Sequence, residues 1–218
     1  MKMKSIVICS ALAALMILSG CGAVKYPHYY TLDVPPPPDP PAQGNLHATL
    51  AIREFRSPEY LHQGAIVYKT SPEQIAFYNY QRWAADPREL VTTAVTDRLR
   101  ASGRFTQVKP YDGRSDIDYV LSGRLEKLEE IDYDGGVKVE VEVSAQVVQL
   151  RTGATVWTNS VDEVGKVEKR DVPAVVSAMN HTMEQAIEKL LTPGPVVSSE
   201  QRTTLKPSAE WSENRDLP

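Results

Sequence analysis

Few side chains in this 218-residue sequence are of the types that carry out catalysis, and their spacing matches no common catalytic motif. The four histidines are His28, His47, His62 and His181. His181 and Glu184 have a spacing that can hold a metal ion, although such a pair more often lies on a solvated helix surface. The sequence contains no Gly-x-Ser-x-Gly, His-Glu-x-x-His, Walker or paired Cys-x-x-Cys motif. We therefore expect no catalytic residue, no metal site and no cofactor.

Acidic side chains are concentrated near the end of one predicted hairpin, where we expect water to solvate them. They are Glu126, Glu129, Glu130, Asp132 and Asp134. A hydrolase that uses two of these carboxylates is one hypothesis, but no spacing in the sequence points to it. We therefore interpret the chain as a protein that is not an enzyme.

The two cysteines both lie near the N-terminus, and only Cys21 is placed where its thiol has a use. The chain begins with a short positive region, Met1-Lys2-Met3-Lys4, and continues with an apolar run, Ile6 to Leu18, that is too short to span a bilayer. This pattern predicts a signal peptide over residues 1–20. The sequence Leu18-Ser19-Gly20-Cys21 resembles the lipobox of bacterial lipoproteins. A secretory signal with a chance cysteine is the alternative.

The lipobox resemblance implies a compartment and an anchor. Cleavage would leave Cys21 as the N-terminus, carrying a diacylglycerol and a third acyl chain, and several acyl chains detach from a membrane very slowly. Cys9 would leave with the signal, so we expect a mature chain without a free thiol or a disulfide. Gly22 stands where an aspartate would resemble an inner-membrane retention signal. The resemblance thus favours the periplasmic face of the outer membrane.

Residues 21–47 are predicted to be a lipidated, proline-rich tether. Six of the sixteen prolines lie between Pro35 and Pro41, and such a run adopts polyproline II because φ is fixed and backbone donors are missing. Fully extended, the tether would span about 80 Å. A ligand for a proline-recognition domain is the alternative. Four upstream residues are too apolar for a plain linker and either rest at the lipid interface or fold back as a short strand. They are Tyr26, Tyr29, Tyr30 and Leu32.

Residues 48–192 carry the periodic patterns of one folded domain. Asp86-Pro87-Arg88-Glu89 predicts the start of a helix, and that helix is expected to end before Gly103. An apolar stripe at helical spacing predicts a second helix from Val172 to Leu191. Val137 to Val147 alternates apolar and polar residues as a half-buried strand does. The fold class expected is α+β, a curled antiparallel sheet with two helices packed on one face. Residues 193–218, which include Trp211, form a predicted disordered tail.

The composition excludes one class of partner. The formal net charge is −4, whereas proteins that bind nucleic acid generally show a basic stripe. We therefore expect the chain to contact a membrane and proteins, and no nucleic acid.

Several segments of the domain resemble a known family. These are Tyr60 to Tyr68, then Tyr78-Asn79-Tyr80-Gln81-Arg82-Trp83-Ala84 with Pro87, and Tyr29 to Asp33 near the predicted anchor. They resemble the auxiliary lipoproteins of ABC-type transport systems, the family of the paraquat-inducible lipoprotein C. The order of the elements is similar over most of residues 1–192, and the tail beyond Pro193 lies outside the resemblance.

The resemblance implies a non-enzymatic component of an intermembrane lipid transport system. Its partners there would be a permease, an ATPase and a substrate-binding protein with mammalian-cell-entry domains, and the lipoprotein would be the docking piece at the outer membrane. An outer-membrane accessory that activates or scaffolds cell-wall synthesis is the alternative. Self-association into a homo-oligomer is left open.

The aromatic segments supply the candidate partner-binding residues, because Tyr, Trp and Arg are enriched at binding hot spots. The candidates are Tyr68, Tyr78, Tyr80, Arg82 and Trp83. Strand alternation would put Tyr78 and Tyr80 on the same face. Packing beside the first helix is the competing interpretation for these aromatics.

Overall fold

A computed structural model of the protein describes residues 24–35, 46–113, 116–133, 135–192 and 194–195. The predicted signal peptide, Cys21, Pro36 to Pro41, Asp134 and Trp211 lie outside the described residues. Within them no helix is long and apolar enough to cross a membrane.

Eight strands and two α-helices make up the described part of the chain. The strands are β1 (His28–Tyr30), β2 (Leu46–Ile52), β3 (Ala65–Ser71), β4 (Gln74–Trp83), β5 (Phe105–Pro110), β6 (Tyr119–Ile131), β7 (Lys138–Gln149) and β8 (Thr155–Lys166). The helices are α1 (Pro87–Ala101) and α2 (Val172–Leu190), and a 3₁₀-helix covers Glu59–Gln63. This is an α+β fold with a single domain.

The long strand β6 lies at the centre of an open sheet. One of its edges pairs along its whole length with β7, which pairs in turn with β8. The other edge is shared, since β2 pairs with the first part of β6 and β3 pairs with its last part. β5 extends the sheet beyond β2, and β4 and then β1 extend it beyond β3.

The sheet is mixed, and the antiparallel arrangement expected from the sequence holds for only part of it. The pairs β3–β4, β6–β7 and β7–β8 are antiparallel, whereas β1–β4, β2–β5, β2–β6 and β3–β6 are parallel. Strand alternation reports which side of a strand is buried, and it does not report which strand lies beside it.

Both helices cover the same face of the sheet, as predicted. Their buried side chains belong to one core cluster that also contains the inward residues of β7. Asp86 and Asp171 cap the two helices by accepting hydrogen bonds from the backbone N–H groups of Arg88 (2.9 Å) and Ala174 (2.8 Å). A proline in the first turn of each helix removes a donor that would have no partner there.

The first strand of the sheet falls within residues 21–47, the range predicted to be a tether. Tyr29 lies beside Arg82 and Tyr30 lies beside Trp83 in the parallel ladder of β1 with β4. Of the two alternatives for this apolar segment, the structure therefore contains the short strand.

The segment after β2 runs beside β6, and the side chain of Phe55 lies over the glycine of that strand. The phenyl ring lies directly over Gly123, where a Cβ atom would overlap the ring. Backbone hydrogen bonds hold this segment against β6 on either side of Phe55, from Arg53 N to Leu121 O (2.9 Å) and from Arg56 N to Gly123 O (3.0 Å). The absence of a side chain at position 123 thus lets the chain pass close to the central strand.

We expect Gly123→Ala to lower the free energy of unfolding by about 1–3 kcal/mol, because the added methyl group must displace the ring of Phe55. Urea denaturation measures the loss. Gly136→Ala is the matched control, since its Cβ would meet open space, and its effect should stay within about 0.5 kcal/mol. Phe55→Leu combined with Gly123→Ala should recover part of the loss; equal stability of the two alanine variants would contradict the interpretation.

Candidate functional site

Two of the predicted partner-binding residues pack against each other. The ring centroids of Tyr68 and Tyr78 are 4.8 Å apart, and the ring planes are inclined by 48°. The Tyr78 hydroxyl donates a 2.8 Å hydrogen bond to the Glu130 carboxylate. Burial, together with that hydrogen bond, raises the pKa of Tyr78 well above its ordinary value. These two tyrosines are half-buried and serve the packing of β3, β4 and β6.

The remaining three candidates divide between core and surface. Trp83 is only 3% exposed and belongs to the core, so it offers no surface to a partner, and its assignment as a binding residue is corrected. Tyr80 is exposed. Arg82 is half-buried, and its Nη2 donates to the backbone carbonyl of Gln63.

Tyr78 and Tyr80 differ in exposure because both lie in an irregular stretch of β4, between Phe77 and Arg82. Val67 pairs with Phe77, yet Ala65 pairs with Arg82, so four residues of β4 lie opposite one residue of β3. Such a bulge breaks the alternation from which the sequence analysis placed Tyr78 and Tyr80 on one face.

Two carboxylates that the sequence analysis assigned to a solvated cluster are buried. Glu129 is 1% exposed and Glu130 is 4% exposed, and burial raises the pKa of both. A register shift in β6 between Leu125 and Lys127 changes which residues face inward. Glu130 therefore lies on the same face as Val139, its buried partner on β7.

Glu129 lies on the other face of the sheet, close to the 3₁₀-helix. Its carboxylate is 3.4 Å from the ammonium group of Lys69, and Oε2 has no hydrogen-bond partner among the described residues. The Tyr60 hydroxyl donates to the backbone carbonyl of Glu126 at 3.2 Å. Burial first, and the charge of Glu129 second, raise the pKa of Tyr60 to about 12.

The histidines do not assemble into a site. His181 Nδ1 is 3.9 Å from Glu184 Oε2, and Glu184 also lies 3.5 Å from Arg98. In the described ranges, no group of three or more His, Cys, Asp and Glu side chains is arranged to hold a metal ion.

A polar cleft of about 390 Å³ lies on the sheet face opposite the helices. Three arginines line it, Arg53 and Arg56 from the segment after β2 and Arg124 from β6. The guanidinium of Arg53 lies 4.3 Å from the centre of the Tyr111 ring, and Nε of Arg124 is 2.7 Å from the Glu126 carboxylate.

The floor of this arginine cleft consists of uncharged polar side chains. Ser144 and Gln146 project from β7 and Thr158 from β8. Hydroxyl, amide and guanidinium donors together suit carboxylate or phosphate groups. The sequence analysis missed the cleft because its arginines come together only where the segment after β2 lies beside β6. The alternating polar residues of β7 were the one local signal.

The N-terminal segment continues from β1 onto the helices. Leu32 and Val34 pack against the core cluster. The backbone N–H of Asp33 donates to the Asn180 side chain (3.3 Å), and the Arg98 guanidinium donates to the carbonyl of Pro35 (3.3 Å). Residues 28–35 thus belong to the folded body.

Comparison with known proteins gives one family match. The sequence model of the family described as "ABC-type transport auxiliary lipoprotein component" matches residues 30–190. No curated protein matches the chain.

Solved structures share the fold at low sequence identity. A protein from Xanthomonas campestris is 17% identical with a TM-score of 0.67, and the match covers 75% of this chain and 92% of that one. An uncharacterised protein is 16% identical with a TM-score of 0.61, over 78% of this chain and 99% of that one. A PelC dodecamer from Paraburkholderia phytofirmans is 19% identical with a TM-score of 0.44, over 68% and 89%. The first two likenesses establish the fold.

We expect Glu130→Gln to become more stabilising, relative to the unchanged protein, as the pH rises above about 4.3, the ordinary pKa of glutamate. The folded protein raises the pKa of Glu130. In that range the folded state therefore holds more protons than the unfolded state, and its stability falls with pH. Glutamine cannot ionise and escapes this loss, about 1.4 kcal/mol per unit of pKa shift.

Thermal or urea unfolding of both proteins across pH 4–8 measures the difference in unfolding free energy. Glu126→Gln is the control, since Glu126 has the same side chain on the same strand but is not buried. A difference for Glu130→Gln that shrinks with rising pH would contradict the expected sign.

Proposed function

Because the chain belongs to the family of ABC-type transport auxiliary lipoprotein components, we propose that it is a non-enzymatic docking component of an intermembrane lipid transport system. The family match carries this proposal, since residues 30–190 include nearly all of the described sheet and both helices. The proposed partners are a substrate-binding protein with mammalian-cell-entry domains and its permease and ATPase.

The proposed location is the periplasmic face of the outer membrane, with Cys21 as the lipidated residue. The lipobox-like sequence Leu18-Ser19-Gly20-Cys21 supports acylation, and Gly22 in place of aspartate supports the outer membrane. The acyl chains are the one non-protein group proposed, and no cofactor or metal is needed for docking.

The arginine cleft is the proposed docking surface for the periplasmic partner. Neither α1 nor α2 covers this face of the sheet. Three arginines, Arg53, Arg56 and Arg124, line the cleft with one carboxylate, Glu54, so the lining carries more positive than negative charge although the chain as a whole is negative. An acidic surface on the partner complements these guanidinium groups, and such complementarity favours both encounter and specificity.

We expect Cys21→Ala to release the protein from the membrane fraction while the body stays folded, because residue 21 precedes the first described contact of the chain. Fractionation followed by immunodetection measures the release, and circular dichroism of the soluble variant measures folding. Ser19→Ala is the matched control, since alanine keeps a small side chain before the cleavage site and should remain membrane-bound. Retention of the Cys21→Ala protein in the membrane fraction would contradict lipid anchoring through this residue.

We expect a photo-crosslinking residue at Gln146 to capture a protein that contains mammalian-cell-entry domains when it is introduced into cells, because Gln146 is exposed in the cleft. Mass spectrometry identifies the captured protein. Glu188, exposed on α2 and on the opposite side of the sheet, is the control position. Capture at Glu188 as efficient as at Gln146, or no such protein at Gln146, would count against the docking surface.

A further inference from the structure

We propose that the body lies directly on the membrane through the β1 end of its sheet, with Tyr26, Tyr29 and Tyr80 in the headgroup region of the lipid. This inference rests on the proposed acylation of Cys21 and adds a second, non-covalent contact to it. The occupant of the surface is the lipid bilayer that holds the anchor.

Chain length restricts how far the body can move from the anchor. Six residues lie between Cys21 and His28, which makes seven Cα-to-Cα steps, so even a fully extended backbone places them no more than about 25 Å apart. His28 is fixed in the ladder beside Gln81. The span of about 80 Å expected for a tether of residues 21–47 is therefore not available while β1 is paired.

The proline-rich run does not lengthen this connection. It starts beside Pro35, which accepts a hydrogen bond from Arg98 on α1, and it rejoins the body at Leu46 in β2. Both of its ends are attached to the same domain, so it connects two points of the body. Only residues 22–27 separate the body from the proposed anchor.

The surface nearest the anchor is rich in exposed apolar side chains. Among the described residues, seven large apolar side chains are exposed, and four of them, Val24, Tyr26, Tyr29 and Tyr80, lie in the N-terminal segment or in the part of β4 next to it. Tyr26 is 77% exposed, Tyr29 62% and Tyr80 43%. Exposed apolar residues grouped in this way mark an interaction surface.

The composition of this patch fits the interface of a bilayer. Tyrosine has an apolar ring and a polar hydroxyl, and it is enriched at the level of lipid headgroups. The Lys25 ammonium lies 5.8 Å from the centre of the Tyr80 ring, and Arg82 is the neighbour of Tyr29 in the ladder. Lys25 has an aliphatic stem that reaches from an apolar layer to phosphate groups.

The sheet also provides a reference position far from the membrane. β8 and β1 lie at opposite ends of the strand order β8–β7–β6–β3–β4–β1. Five strand spacings of about 4.8 Å put them roughly 24 Å apart. Val164 on β8 is 60% exposed, like Tyr29, but should remain in water.

The test compares single cysteines, Tyr26→Cys, Tyr29→Cys and Val164→Cys, in the full acylated lipoprotein. Acylation blocks Cys21 and Cys9 lies in the predicted signal peptide, so a nitroxide label reacts only at the introduced thiol. The labelled proteins are reconstituted in vesicles of phosphatidylethanolamine with a minority of phosphatidylglycerol. Electron paramagnetic resonance then measures collisions of each label with oxygen, which concentrates in lipid, and with a water-soluble nickel chelate.

We expect the ratio of oxygen to nickel collisions to be at least about fivefold higher at positions 26 and 29 than at position 164, because only the first two meet the apolar layer. Equal ratios at all three positions, in protein that floats with the vesicles, would overturn the membrane contact and leave the proposed anchor intact. Labels at 26 and 29 shielded from both reagents would indicate a protein contact and would also overturn it. A protein that lacks acyl chains by mass spectrometry and does not float would instead refute the proposed anchor. If Tyr29→Cys weakens the fold, Tyr26→Cys still tests the membrane contact, because Tyr26 precedes β1 and its substitution leaves the ladder unchanged.

Discussion

The contact of Phe55 with Gly123 is the constraint on which the arrangement of the sheet depends. One edge of β6 must accept two strands in succession, and the chain between them has to pass close to the β6 backbone. The glycine makes this approach possible, and Arg56, the residue after Phe55, lies beside Arg124 on the opposite side of the strand. The same contact therefore completes the core on one face and assembles the arginine cleft on the other.

The sequence was sufficient for the features whose causes are local. Asp86 and Pro87 mark the start of α1, and α2 was predicted from its apolar stripe because both signals lie within one or two turns of the helix. β7 was predicted for the same reason, since its alternation is uninterrupted.

What the sequence could not supply depends on partners that are distant along the chain. The parallel pairs of β2 and β3 with β6 follow from crossover connections, which leave no trace in alternation. The bulge in β4 and the register shift in β6 each change which residues face inward, so the shared face predicted for Tyr78 and Tyr80 and the solvated position predicted for Glu130 were wrong. Interrupted alternation around Leu125 and Leu128 was the available signal for the second of these. The arginine cleft unites residues from three segments, and no window of the sequence contains it.

The N-terminal strand has a mechanical consequence. With the proposed anchor at Cys21, any pull between the membrane and the body would pass through β1, whose ladder with β4 pairs three residues. Few backbone hydrogen bonds hold so short a ladder. If it opened together with the contacts of Asp33 and Pro35, the chain from Cys21 to Leu46 would be free to extend to about 80 Å, roughly three times the length available before. The packed segment is therefore a reserve of length, and tension would decide whether the body stays at the lipid surface or reaches away from it.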